Sequence, residues 1–99
     1  MSRPYYSEYV RHCLRFYCRN LQATSFRSPV DECNWRICKK VLGDLSPTNR
    51  EVIVMIHRER DTLADNVYAV SERYNINQSA VWDLLKDVEY DIAKMRGLV

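Results

Sequence analysis

Glycine is nearly absent from this chain of 99 residues, which carries two glycines and three prolines. The Asn-Gly, Asp-Gly and Gly-Gly pairs that close tight hairpins do not occur. That scarcity disfavours a meander of strands and favours helices with short connections. No apolar run approaches the roughly 20 residues needed to span a membrane. The first residues, Met-Ser-Arg-Pro followed by tyrosines and charges, contain no apolar leader core, so a cytoplasmic protein with reduced thiols is expected. Gly-rich phosphate loops, HExxH and GxSxG are missing too. His12 and His57 have no acid or nucleophile at a catalytic spacing, so neither an enzyme nor a cofactor is expected.

What is present is apolar content of 46% and charge of 28%, the balance of a folded globular chain rather than a disordered one. The length points to one domain spanning residues 1–99. At this size roughly 60–65% of the unfolded chain's surface can be buried. Formal net charge is only +2, but it is unevenly spread. Residues 1–45 hold eight Arg/Lys against four acids, net +4. Residues 46–99 hold seven against nine, net −2.

Periodicity divides the chain into five helices. The first is expected to begin near Pro4 with Ser2 as its cap. Its apolar face would be Tyr6, Tyr9, Val10, Cys13, Leu14, Tyr17 and Leu21. Arg11, Arg15 and Arg19, spaced i, i+4, i+8, make a basic stripe on another face. Residues 20–27 lose the period and read as a loop that Phe26 can pin. Ser28-Pro29 and Ser46-Pro47 are two matching start signals, a cap followed by proline in the first turn. The second helix would face Val30, Ile37, Cys38, Val41 and Leu42 inward, with Trp35 on a flank and Gly43 at its end. The third would be central, because Val52 to Ile56 is apolar nearly all round. Its end, His57 to Arg60, should exit to solvent.

The stretch from Thr62 to Met95 organises the rest. Leu63, Val67, Val70 and Tyr74 mark one helix. Val81, Leu84, Leu85, Val88, Ile92 and Met95 mark another. Between them lies Asn75-Ile76-Asn77, with Asn77 as N-cap and Ile76 able to staple onto Val81. Helix, short polar turn and long helix make the pattern of a helix-turn-helix. On the second helix Ser79, Asp83, Lys86, Asp87, Tyr90 and Lys94 point outward, with Gln78, Trp82 and Glu89 on one flank. The expected fold is all-α: a two-helix unit, residues 1–44, packed on a trihelical helix-turn-helix unit, residues 45–99.

The cysteines fall in two C-x4-C pairs, Cys13/Cys18 and Cys33/Cys38. Structural zinc pairs are usually closer in sequence. On a helix, i and i+5 diverge by about 140°, so no metal site is expected.

Leu45-Ser46-Pro47-Thr48-Asn49-Arg50-Glu51-Val52 resembles the start of the region 4 helix-turn-helix of the sigma-70 family. Tyr74-Asn75-Ile76-Asn77-Gln78-Ser79-Ala80-Val81 corresponds to that family's turn, with Tyr74 and Asn75 replacing the usual leucine and glycine. The resemblance covers residues 45–98. The whole chain is similar to short region 4-like proteins carried by phages and mobile elements of Firmicutes. This implies a DNA-binding transcription regulator. Gln78 and Ser79 would sit where such helices meet base edges, with Asn77, Trp82 and Lys86 beside them. Arg58, Arg60 and Arg73, with Arg11, Arg15 and Arg19, would contact the backbone of double-stranded DNA. Against this stand Asp83, Asp87, Glu89 and Asp91, which would approach a polyanion. The alternative is a small helical interaction module that binds RNA polymerase or another protein through Trp82 and Tyr90, without DNA readout. A homodimer is compatible with both, and a membrane partner with neither.

Overall fold

Four short polar side chains set the helix starts in the computed structural model, which describes residues 4–99. Ser28 accepts from the Asp31 amide, Ser46 from Asn49 and Thr62 from Asp65, each at 3.2 Å. Asn77 accepts from Ser79 at 2.7 Å. These caps satisfy amides that the first helical turn leaves free. The elements that follow are α2 (Pro29–Gly43), α3 (Pro47–Arg58), α4 (Leu63–Tyr74) and α5 (Gln78–Met95). The first helix, α1 (Ser7–Cys18), is shorter than expected and has no side-chain cap. A turn precedes it, in which the Ser7 amide reaches the Pro4 carbonyl at 3.1 Å. The expected cap, Ser2, lies outside the described residues. The described residues contain no strand, and none of their helices is long and apolar enough to cross a membrane.

Two helix ends use the left-handed region. Asn75 sits at φ 54° after α4, and Gly97 at φ 76° after α5. In both, the next residue's amide reaches back five residues: Ile76 to the Ser71 carbonyl at 2.9 Å, Leu98 to Ala93 at 2.8 Å. This is the Schellman arrangement, and asparagine is the side chain that best tolerates glycine's place in it. The sequence expectation for the 75–77 turn therefore holds in its backbone chemistry.

The two-helix N-terminal unit packs on the other three helices. α1 lies against α2, α3 and α5, while α5 also packs on α2 and α4. Leu14, Leu42, Ile53, Ile56, Leu85 and Ile92 are fully buried where these surfaces meet. Each such side chain contributes roughly 1.5–3 kcal/mol of transfer free energy.

Several expected placements differ. Trp35 is buried, not on a flank, because its indole N–H donates to the Asn20 carbonyl at 2.8 Å and its ring meets Tyr17 and Phe26. Those contacts fix the loop at 20–27, as expected of Phe26. Leu21 falls beyond the end of α1 and is exposed. Tyr9 stays at the rim, where its hydroxyl accepts from Asn34 at 3.0 Å and from Arg96 at 3.1 Å. Val30, in the first turn of α2, and Met95, at the end of α5, are exposed. The chain after α5 folds back to pack Leu98 on the core, leaving Met95 uncovered. His57 does not exit with Arg58 to Arg60. It is buried one turn after Ile53, whose carbonyl its Nδ1 approaches at 2.8 Å.

Candidate functional site

The first turn of α5 presents Gln78, Ser79 and Ala80, all exposed, and holds no acid. Its amides point out of the positive end of the helix. Arg73, exposed in the last turn of α4, lies beside the turn with its guanidinium 5.9 Å from the Tyr74 ring centre. The Asn77 side chain is already used as the helix cap, so its oxygen is engaged within the turn.

Farther along α5, the residues separate onto two faces. Asp83, Asp87 and Asp91 are exposed at i, i+4, i+8 and form an acidic stripe. Trp82, Lys86 and Tyr90 turn toward α1. With Pro4, Tyr6, Ser7 and Arg11 they line a groove of about 580 Å³, to whose lining Asp87 of the acidic stripe also contributes. Trp82 is half-buried, Tyr90 is 48% exposed and Lys86 is exposed. The Tyr6 hydroxyl is raised above its ordinary pKa, first by burial and then by the charge of Glu89.

Two charged residues lie elsewhere than the sequence suggested. Glu89 is 4% exposed and accepts from Arg11 Nε at 2.9 Å. Arg11 also approaches Glu8 at 3.9 Å. Arg11 is thus paired within the fold, and Glu89 is withdrawn from the surface. The reason is packing: α1 crosses α5 at this point, so the two side chains meet across the interface. Glu89 is four residues after Leu85, only about 40° around the helix from it. That angle was the signal for its burial.

Arg15 and Arg19 turn away from the groove, toward the junction of α3 and α4. There, with His57, Glu59, Arg60, Asp61 and Asn66, they line a cleft of about 190 Å³. Arg19 donates to the Glu59 carbonyl at 3.4 Å. Arg58 is exposed nearby, on the Cys18–Ala23 side. The predicted residues thus divide into three places: the α5 start with Arg73, the groove with Trp82, Lys86 and Tyr90, and a basic junction with Arg15, Arg19, Arg58 and Arg60.

Other polar residues have structural work that sequence reading missed. Arg50 donates to the carbonyls of Leu42 at 3.0 Å, Gly43 at 3.2 Å and Leu45 at 3.2 Å, closing the end of α2 onto α3. Asn66 is buried and donates to the carbonyls of Ile56, Glu59 and Asp61 at the end of α3. Asn34 accepts from Arg96 at 2.6 Å. Nothing in local sequence marks these roles, because each partner is a carbonyl or side chain in another element.

Cys13, Cys18 and Cys38 are buried and Cys33 is exposed. Burial pushes the Cys18 thiol up to about 12 and raises Cys13 and Cys38 as well. These three behave as small apolar core residues, since thiolate formation is what reactivity and metal ligation require. No group of three or more His, Cys, Asp or Glu placed to hold a metal ion occurs among the described residues.

Comparison of the chain with family models, curated proteins and solved structures found no match in any of the three.

Proposed function

We propose that the protein is a DNA-binding transcription regulator of sigma-70 region 4 type, of the kind carried by phages and mobile elements, with α4 and α5 as its helix-turn-helix. The observation that carries this reading is the acid-free, exposed first turn of α5 beside Arg73. Gln78 can bond an adenine edge with both ends of its amide, and Ser79 accepts any base. Glu89, the acid nearest the core, is withdrawn from the surface by Arg11. Asp83, Asp87 and Asp91 remain exposed, so phosphate contacts must come from outside α5: from Arg73, Arg58 and Arg60.

The test is duplex binding by fluorescence anisotropy across a salt series. Each phosphate contact contributes a slope of about −0.9 in log K against log salt. Arg73→Gln should lower affinity for all sequences and flatten the slope by about one. Gln78→Ala should instead relax preference among sequences. Affinity that does not change with salt rejects the reading.

A second reading is favoured by the groove under Trp82 and Tyr90. Its aromatic lining and the acidic stripe beside it fit a partner that offers a basic surface with an apolar anchor; RNA polymerase is the partner tested. If purified bacterial RNA polymerase binds the protein, Trp82→Ala abolishes that binding and no duplex is bound at low salt, the second reading replaces the first.

A further inference from the structure

The cleft between α1 and the α3–α4 junction combines three features, of which the functional readings use only Arg60. First, Arg15 of α1, Arg19 just after it and Arg60 in the α3–α4 connection converge on it. Arg15 and Arg60 have no ion pair among the described residues, and Arg19 is bonded to a backbone carbonyl rather than to an acid. Secondly, His57 lines the cleft. It is 2% exposed, and its Nε2 has no hydrogen-bond partner. Thirdly, the tautomer of that histidine is fixed by its other nitrogen. Nδ1 lies 2.8 Å from the Ile53 carbonyl, which can only accept, so Nδ1 carries the proton and Nε2 presents a lone pair.

A buried polar atom without a partner costs about 1–3 kcal/mol. His57 and these cationic donors together line a cleft of about 190 Å³, room enough for a small oxyanion; Nε2 itself is closed to solvent, and a side-chain shift must uncover it before a ligand reaches it. The ligand that fits is an anion which also donates one hydrogen bond. Sulfate and a phosphodiester have no proton to give at neutral pH. Inorganic phosphate keeps one.

We propose that this cleft is a phosphate site, with Arg15, Arg19 and Arg60 binding the oxyanion and His57 Nε2 accepting from its P–OH. The charged groups that face it are Arg15 and Arg19 from α1, with Glu59, Arg60 and Asp61 at the junction; Arg11, farther along α1, also acts on the imidazole. Glu59 and Asp61 oppose an anion of higher charge, which favours the dihydrogen monoanion over the monohydrogen dianion; both keep a P–OH. Burial, and then Arg15, Arg11 and Arg19, hold the imidazole down to about 4 despite the Ile53 bond. Nε2 therefore remains an acceptor throughout the neutral range, as the site requires. The His57 contact separates this site from DNA binding, because the diester backbone offers no P–OH, although Arg60 serves both.

The experiment titrates ¹⁵N-histidine-labelled full-length protein with sodium phosphate, sodium sulfate and dimethyl phosphate at pH 7 and constant ionic strength. Phosphate should give a saturable shift of the His57 Nε2 resonance, with affinity at least about tenfold above that for sulfate or dimethyl phosphate, the worth of one directional hydrogen bond to a charged group. Arg60→Gln, at an exposed position, should weaken phosphate about tenfold or more without altering the spectrum of the core. Equal affinity for sulfate, a phosphate titration that leaves Nε2 unmoved, or an Arg60→Gln protein that binds as tightly as the parent would each overturn the proposal.

Discussion

Acidification should destabilise this protein through His57, by an amount the structure sets. The imidazole is held at about 4 in the fold, chiefly by burial, against about 6.5 in an unfolded chain. A base whose folded pKa is depressed keeps its full contribution above the unfolded value. It loses that contribution as pH falls from about 6.5 toward 4, because the unfolded state binds the proton first. Linkage then gives a loss of roughly 2–3 kcal/mol between pH 7 and pH 4.5 from this one group. For a domain of this size that is a large share of a total near 5–15 kcal/mol. Urea unfolding of the parent and of His57→Gln, at both pH values in phosphate-free buffer, isolates the effect: carboxylates titrate alike in the two proteins, so the difference between their pH dependences belongs to His57. Proton NMR of the parent provides a check that does not need the variant to fold. If the His57 ring signal titrates with a midpoint near 6.5, the imidazole is solvated and the reasoning fails.

Two further outcomes follow from the buried polar contacts. Glu89→Ala leaves the Arg11 guanidinium, 12% exposed, with only the 3.9 Å approach to Glu8. It should cost about 3–5 kcal/mol in urea unfolding, and Arg11→Met in the same chain should restore a good part of this, since two apolar residues leave no orphaned charge. A double variant as unstable as the single one would show that the pair matters for shape rather than charge. Arg50→Met removes three donors from the carbonyls that end α2. A loss of about 2 kcal/mol is expected from a charged donor of this kind. An unchanged urea midpoint would mean that water replaces Arg50 at those carbonyls without loss.

Local chemistry in the sequence was enough to determine four of the five helix starts. Ser28, Ser46, Thr62 and Asn77 cap because each is a short acceptor at the start of an apolar period, and Asn75 turns the chain because asparagine tolerates positive φ. The apolar periods also identified most of the core, since Val81, Leu85, Val88 and Ile92 share one face of a helix whatever packs on it. Tertiary structure alone decided which charges are free. Arg11, Arg15 and Arg19 form one stripe in sequence. In the fold, Arg11 meets Glu89 on α5, while Arg15 and Arg19 meet the α3–α4 junction with His57. A charge's partner is set by which helix crosses it, 78 residues away for Arg11. The period of its own helix carries no information about that crossing.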